Sequence, residues 1–237
     1  TMVRSMNGVR GGDLKSHLDI RSRDEIGMVA NTFNYMVDGL REREQLKDAF
    51  NRYVSDKVYD QLQGGELTLT GELREVTILF SDIRSFTTIS ESLSPEDVVQ
   101  LLNEYFTAMV DIVIKYDGYL NKFIGDAIMA VYNVPVIQEH HQLRAVSTAI
   151  EMIESLARFN ERRTAAGKSV INIGIGLNTG IAVAGNIGHE QRLEYTVIGD
   201  AVNLAQRIES QTKVAGTPLL VAKETYDSVA EYMDAVA

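Results

Sequence analysis

Between Asp24 and Leu40, this 237-residue chain carries a row of apolar residues that alternate three and four positions apart. This spacing is the a/d repeat of a coiled coil, in which a helix packs its apolar seam against a partner helix. An amphipathic helix packed on its own domain has a similar pattern, so both interpretations stay open. The seam positions are Ile26, Val29, Phe33, Met36 and Leu40.

The same repeat continues past Leu40 with a weaker seam. Arg43 and Lys47 fall on seam positions, and Phe50 and Val54 return to apolar residues. We therefore predict one continuous helix whose pairing is weakened at the two basic residues. A weakened seam makes this stretch a candidate switch point.

A different pattern follows the linker that is indicated by Gly64, Gly65 and Gly71. Short apolar runs alternate with long helical patterns, and one pair of runs is separated only by Gly125-Asp126, a turn of the hairpin type. This order predicts an α+β fold of the ferredoxin-like kind, with helices on one face of a mostly antiparallel sheet. The predicted strands are 76–80, 119–124, 127–132, 171–178, 181–184 and 218–221, and the predicted helices are 94–116, 141–164 and 201–209.

Composition excludes several classes of function. The net charge of -10 disfavours a nucleic-acid partner, because phosphate backbones are bound mainly through Lys and Arg. The absence of cysteine excludes disulfides, thiolate metal sites and cysteine nucleophiles. No apolar run approaches the roughly 20 residues of a membrane-spanning helix. An acidic protein that handles a polyphosphate is expected to need cations.

Two acidic residues are candidate metal ligands. Asp82 follows the apolar run 76–80, and Asp126 lies in the predicted hairpin turn, so a sheet can bring both to one edge. Paired carboxylates can hold two divalent cations that act on the oxygens of a phosphoryl group. Either residue alone is more often a strand-end or turn residue, and the spacing leaves both interpretations open.

Two other patterns are not interpreted as sites. The adjacent His140 and His141 are interpreted as a solvated helix start, because neighbouring side chains point apart and do not form a metal pair. The segment 174–176 lacks the third glycine and the acidic partner of a dinucleotide-binding loop. Its glycines are therefore interpreted as strand residues.

Four segments, in this order, resemble the catalytic domain of class III adenylate cyclases. They are 80–87 (FSDIRSFT), 122–127 (KFIGDA), 174–180 (GIGLNTG) and 199–207 (GDAVNLAQR), and the resemblance runs from about Glu75 to the C-terminus. It implies a catalytic domain at 72–237 that is truncated at its C-terminus, since the family's further phosphate-binding Lys would lie beyond Ala237. We therefore expect this stretch alone to be weakly active or inactive.

The resemblance implies the conversion of ATP to 3',5'-cyclic AMP and pyrophosphate with two divalent cations, Mg²⁺ or Mn²⁺. The family's two metal-binding aspartates match Asp82 and Asp126, and the backbone carbonyl of Ile83 completes that ligand set. One ion would activate the ribose 3'-hydroxyl for attack on the α-phosphate, and the other would hold the triphosphate. The amides of the segment Ser85, Phe86 and Thr87 would cradle phosphate oxygens.

Four further positions carry over from the family. Lys122 matches the base-selecting donor, where guanylate cyclases carry Glu, and the hydroxyl of Thr196 can accept from the adenine amino group. Asn203 and Arg207, one helical turn apart, match the residues that orient the ribose and stabilise the pentavalent phosphate. The alternatives are a guanylate cyclase and a catalytically silent nucleotide-binding relay dimer.

The resemblance also implies a homodimer. In the family the metal-binding and Arg-bearing halves come from different subunits, so two head-to-tail chains would form two sites at their interface. The segment 11–40 resembles the second half of a HAMP relay module with its first helix missing. Residues 1–41 would then be a partial HAMP module, and residues 42–71 a signalling helix and linker in a parallel coiled coil.

HAMP modules normally follow a membrane-spanning helix. The resemblance therefore implies that this soluble fragment is the cytoplasmic portion of a bacterial inner-membrane protein, attached to the membrane through a part that precedes the sequence.

Overall fold

The computed structural model describes residues 2–20, 22, 24–53, 71–189 and 192–232. The chain separates into two compact units, Thr1–Tyr59 and Asp60–Ala237. Within the described ranges, no helix combines the length and the apolar character needed to cross a bilayer.

The first unit contains helix α1, Met2–Arg10, and helix α2, Glu25–Tyr53. Helix α1 was not predicted, because the sequence interpretation began the relay segment at residue 11. The Asp24 carboxylate caps α2 by accepting hydrogen bonds from the amides of Ile26 and Gly27, each at 3.1 Å. The helix continues past Arg43 and Lys47, as predicted. Val54, Gly64 and Gly65 lie outside the described residues.

One face of α2 packs on its own unit. Ala30, Phe33 and Val37 are buried against Leu18. Asn34 fastens the connecting segment to the helix, since its amide accepts from the Leu18 N–H and donates to the Leu18 carbonyl, both at 2.9 Å. The interpretation as a helix packed on its own domain is thus correct for Phe33.

The other four seam residues of α2 remain exposed within the chain. Their exposed fractions are 55% for Ile26, 46% for Val29, 51% for Met36 and 38% for Leu40. One stripe of the helix therefore packs against its own unit, and these four residues of the predicted coiled-coil seam stay uncovered.

The second unit is built on a six-stranded sheet in the order β2-β3-β1-β4-β5, with antiparallel neighbours and with β6 parallel to β4. The strands are β1 Glu72–Ile83, β2 Tyr119–Ile124, β3 Ala127–Tyr132, β4 Ile173–His189, β5 Arg192–Ile198 and β6 Leu219–Val221. The helices are α3 Phe86–Glu91, α4 Pro95–Lys115, α5 His141–Ala165, α6 Asp200–Ala215 and α7 Lys223–Asp227. This arrangement confirms the predicted α+β fold with its mostly antiparallel sheet. The helices are not confined to one face, however, because α6 packs on the face opposite α4 and α5.

The main core lies between the sheet and the long helices α4 and α5. Side chains from alternate positions of β1, β3 and β4 meet Tyr105 and Met109 of α4 and Met152 of α5. Helix α4 starts as predicted, with Pro95 in its first turn and with Ser94 Oγ accepting from the Asp97 N–H at 3.2 Å. The predicted hairpin of β2 and β3 has the predicted bounds.

Helix α6 packs on the intervening positions of β4, which face away from that core. A Cβ atom at Gly176 would overlap the backbone of Glu209, and one at Gly174 would overlap Arg84 and Thr212. The strand glycines therefore allow the backbone of α6 to approach the sheet closely.

This close packing explains one wrong prediction. The sequence was interpreted as two strands, 171–178 and 181–184, but β4 is a single strand that pairs with β1 without interruption from Ile173 to Ala184. Gly180 lies within that pairing, opposite Val76, and serves the approach of Ala201 rather than a turn.

Three short elements and one buried side chain were also missed. Strand β5 and helices α3 and α7 were not predicted. His141 is not solvated, because it is 6% exposed and its Nδ1 lies 2.8 Å from Thr77 Oγ1. The apolar residues that follow His141 along α5 pack in the main core, and the helix they anchor holds His141 against the sheet.

Candidate active site

The two predicted metal ligands lie side by side. Asp82 is near the C-terminal end of β1, and Asp126 lies in the β2–β3 turn, where its Oδ2 accepts from the Ile83 N–H at 3.2 Å. Burial, followed by a hydrogen bond to the Asp82 carboxyl and the charge of that group, raises the pKa of Asp126 to about 7. A cation bound between Asp82 and Asp126 would offset the repulsion between their charges, so this carboxyl pair favours bound cations.

The donor set at this place fits Mg²⁺ or Mn²⁺. Within the described residues no group of three or more His, Cys, Asp or Glu side chains could hold a metal ion. The ligands would then be the two carboxylates, the backbone carbonyl of Ile83, substrate phosphates and water. Magnesium in phosphate-handling sites is commonly held in this way, through one or two carboxylates and the substrate itself.

The predicted phosphate segment begins three residues after Asp82. Ser85 adopts a left-handed conformation, φ 57°, at the start of the six-residue helix α3. Phe86 packs against the main core, and Ser85 and Thr87 are exposed. The segment is therefore held by its central side chain next to the carboxylate pair.

The two predicted base-reading residues, Lys122 and Thr196, lie close together. The Lys122 ammonium group pairs with Glu194, with 2.5 Å between Nζ and Oε1. The Thr196 hydroxyl donates to Asn121 Oδ1 at 3.1 Å, and Asn121 Nδ2 donates to the Tyr195 carbonyl at 3.1 Å.

Asn121 and Glu194 were missed by the sequence analysis. Their positions in the sequence could have indicated both residues. Asn121 adjoins Lys122, and Glu194 lies two residues from Thr196, on the same face of the strand.

A tyrosine pair brings these residues together. Strands β2 and β5 stand at opposite ends of the strand order, yet the Tyr119 hydroxyl donates to the Tyr195 carbonyl at 3.0 Å. The two rings meet edge to face, with centroids 5.7 Å apart. The middle of β5 therefore contacts β2, although the two strands are not neighbours in the sheet, and local sequence patterns do not predict this contact.

Asn203 and Arg207 line a separate cavity of about 420 Å³. Asn178 supports its wall by donating from Nδ2 to the Ala201 carbonyl at 2.9 Å. Among the described residues that line it are neither the two aspartates nor the base-reading pair. The remaining lining residues are Asn178, Thr179, Gly180, Ile181, Asp200, Ala201, Leu204 and Glu224.

The inner face of α6 is tied to the end of β1. Arg84 forms an ion pair with Glu209, with 3.6 Å between Nη1 and Oε1, and donates to the Thr212 hydroxyl. Burial, followed by the charge of Asp82, raises the pKa of Glu209. The helix thus presents Asn203 and Arg207 to a cavity and Glu209 and Thr212 to the sheet.

Residues 70–235 match the family described as Adenylate and Guanylate cyclase catalytic domain. The chain belongs to this cyclase family. Residues 1–42 match the HAMP domain family, so the cyclase domain and a HAMP segment lie in one chain. Both predicted resemblances are confirmed at the level of family.

Individual relatives include cyclases of both base specificities. An adenylate cyclase from Anabaena cylindrica is 37% identical over 232 residues, which cover 92% of this chain and 45% of the relative. The adenylyl cyclase CyaB from P. aeruginosa is 35% identical with a TM-score of 0.65, covering 70% of this chain and 85% of that one. The guanylyl cyclase Cya2 is 41% identical with a TM-score of 0.63, covering 67% and 80%.

The cyclase chain therefore spans less than half the length of that curated relative.

Proposed function

We propose that this cyclase is an adenylate cyclase that converts ATP to 3',5'-cyclic AMP and pyrophosphate. The observation that carries the proposal is the juxtaposition of Lys122 with Thr196. Lys can only donate, which suits the N1 acceptor of adenine, and a hydroxyl can accept from the adenine amino group. Guanine presents an N–H at N1, and Lys122 has no lone pair to accept from it.

Asp82, Asp126 and the Ile83 carbonyl would hold two divalent cations, Mg²⁺ or Mn²⁺. When bound, the cations supply positive charge to the phosphates and acidify the attacking hydroxyl. The backbone amides of Ser85, Phe86 and Thr87 would receive phosphate oxygens.

The helix α6 residues would act on the ribose and the α-phosphate. Asn203 would orient the ribose, whose 3'-oxygen forms a bond to the α-phosphorus while the bond to pyrophosphate breaks. The guanidinium of Arg207 offers several N–H donors to the charge that develops on the phosphate oxygens. The cavity that both residues line supports this assignment.

We further propose that the active form is a head-to-tail homodimer. Among the described residues that line the cavity of Asn203 and Arg207, neither Asp82 nor Asp126 is present. A second chain would supply the carboxylate pair for this cavity, and two equivalent sites would form. The uncovered seam of α2 supports a parallel coiled coil upstream of the two catalytic domains.

The domain organisation extends this proposal. Residues 1–41 would relay a signal as a partial HAMP module, residues 42–71 would carry it as a signalling helix and linker, and residues 72–237 would respond as the catalytic domain. The parent protein would be a bacterial inner-membrane protein whose cytoplasmic portion includes this chain. The HAMP match supports this assignment.

One observation favours a guanylate cyclase as the second candidate. The Glu194 carboxylate lies beside Lys122 and could accept from the N1–H of guanine. The similarity to the guanylyl cyclase Cya2 points in the same direction. A silent relay dimer is the third candidate.

Product analysis distinguishes these candidates. The chain is incubated with ATP or GTP and Mn²⁺, and cyclic nucleotides are separated by chromatography, with Asp82→Ala as the control. Cyclic AMP that disappears in the control supports the proposal, whereas cyclic GMP as the only product would favour the second candidate. A folded chain that yields neither product, also when extended at its C-terminus, would favour the silent relay. In the active chain, Lys122→Glu with Thr196→Cys is expected to relax the preference for ATP.

A further inference from the structure

A β-bulge places Asn121 at the base-reading pair. In the pairing of β2 with β3, Leu120 lies opposite Ala130 and Lys122 lies opposite Met129, so Asn121 is an extra residue on its strand. A bulge re-aims the side chain at its position. Lys122 and Asn121 are adjacent in sequence, yet both side chains reach β5.

The hydrogen bonds of Asn121 fix the orientation of its amide. The Tyr195 carbonyl can only accept, so the amide nitrogen must face it, at 3.1 Å. A flipped amide would set two oxygens against each other. The amide oxygen therefore faces Thr196, and because that oxygen can only accept, the Thr196 hydroxyl must donate to it, at 3.1 Å.

In this arrangement the single proton of the Thr196 hydroxyl is donated to Asn121 Oδ1. Only lone pairs remain on that oxygen, so a further partner must be a donor. Thr196 is 8% exposed, which leaves it little access to water that could take its proton instead. The adenine amino group is a donor, and the corresponding oxygen of guanine is not.

We propose that Asn121 is a positioning residue that makes Thr196 select ATP over GTP by fixing the direction of its hydroxyl proton. This inference rests on the proposed function, in which Thr196 meets the 6-position of the base. Lys122 would recognise only the N1 atom of the base. Asn121, by orienting the Thr196 hydroxyl, would add discrimination at position 6 between the adenine amino group and the guanine oxygen.

The test compares Asn121→Leu with the unaltered chain. Leucine has a similar size and no polar group, so the Thr196 hydroxyl becomes free to donate to guanine. We expect the ratio of kcat/KM for ATP to kcat/KM for GTP to fall about tenfold, the effect of one hydrogen bond of about 1.4 kcal/mol. Asn103→Leu, at an exposed position of α4, is the matched control and should leave the ratio unchanged.

Thr196→Val separates this role from a structural one. If Asn121 acts through the hydroxyl, Asn121→Leu will lower the ratio in the unaltered chain and leave it unchanged in the Thr196→Val background. An equal fall in both backgrounds would overturn the inference. If Asn121→Leu does not fold, Asn121→Ala carries the same expectation.

Rescue provides a second readout. Asn121→Asp keeps an accepting oxygen toward Thr196 but sets its second oxygen against the Tyr195 carbonyl, so it should retain more of the ATP preference than Asn121→Leu and less than the unaltered chain. Competition of ATP and GTP for a bound fluorescent nucleotide should follow the same order of variants. A chain that prefers GTP, or that makes no cyclic product even when extended at its C-terminus, overturns the proposed function, whereas an ATP preference that survives Asn121→Leu overturns only this inference.

Discussion

Arg84 and Glu209 form an ion pair between the end of β1 and the inner face of α6, and their side chains are only 22% and 9% exposed. Arg84 comes two residues after Asp82, and Glu209 comes two residues after Arg207. The pair therefore joins the strand end that carries Asp82 to the helix that carries Arg207.

Removal of the arginine should destabilise the domain. Arg84→Ala leaves the Glu209 carboxylate buried without its cation, and we expect the free energy of unfolding to fall by about 2–3 kcal/mol. Urea denaturation measures this loss. Arg84→Ala with Glu209→Gln removes the uncompensated charge and should recover about half of it. Equal unfolding midpoints for the single and double variants would show that the ion pair is not the cause.

His141 should make stability depend on pH. Burial lowers the pKa of His141, and the nearby Glu75 carboxylate opposes this shift only in part. The unfolded chain takes up the proton near pH 6.5, whereas the folded chain does so at a lower pH. Stability is therefore fully present above about pH 6.5 and declines as the pH falls toward the folded-state pKa, by at most about 1.4 kcal/mol per pH unit.

Denaturation between pH 7.5 and 5.5 tests this dependence. Asp126, with its pKa raised to about 7, contributes a slope of the opposite sign over the same range, so the test compares variants. As the pH falls, His141→Asn should lose less stability than the unaltered chain, and the exposed His140→Asn should follow the unaltered chain. The same slope in all three proteins would contradict the prediction.

Asn34 should hold the connecting segment of the first unit on α2. Asn34→Ala removes two hydrogen bonds to the backbone of Leu18, and we expect a loss of about 1–2 kcal/mol in local stability. Amide hydrogen exchange at Leu18 should become faster by roughly tenfold or more. Asn31→Ala, at an exposed position of the same helix, should leave that exchange rate unchanged. If the Leu18 amide of Asn34→Ala exchanges as slowly as in the unaltered chain, Asn34 does not hold the connecting segment on α2.

The uncovered seam of α2 should govern self-association. Met36→Lys with Leu40→Lys places two charges on the seam, and we expect the dissociation constant of the proposed dimer to rise at least about tenfold. Sedimentation over a concentration series measures the change. Tyr35→Lys is the control, because Tyr35 is 84% exposed and lies off the seam. If the control weakens the dimer as much as the seam variant, the seam is not the contact.

Local patterns predicted the elements whose determinants lie close together in sequence. The β2–β3 hairpin follows from the Gly125-Asp126 turn, and the start of α4 follows from Ser94 and its neighbours. The carboxylate pair could be anticipated because strand ends and turns meet at sheet edges.

The features that escaped prediction depend on distant residues. Gly180 falls at the predicted break between two strands, but it lies within β4, where the lack of a side chain leaves room for Ala201 of α6. Strand β5 gains its place from the far half of β4, and Asn121 gains its orientation from Tyr195, 74 positions away. The family resemblance supplied the site residues, but neither the bulge nor the partners of Lys122 could be deduced from it.

Three threonines and His141 form a buried polar chain across the second unit. Thr77 and Thr179 stand opposite each other in the β1–β4 pairing with 2.8 Å between their hydroxyl oxygens, and Thr225 of α7 donates to Thr179 at 2.8 Å. A slip of two residues would keep the apolar positions on the correct face but would put Leu177 or Ile181 opposite Thr77.

Such a slip would leave hydroxyl groups buried without partners, at about 1–3 kcal/mol each. Apolar side chains alone would distinguish these neighbouring alignments poorly. The hydroxyl chain therefore favours the correct alignment of β1 with β4 over alignments shifted by two residues. Because Thr225 of α7 bonds to Thr179, the docking of α7 depends on that alignment at the centre of the sheet.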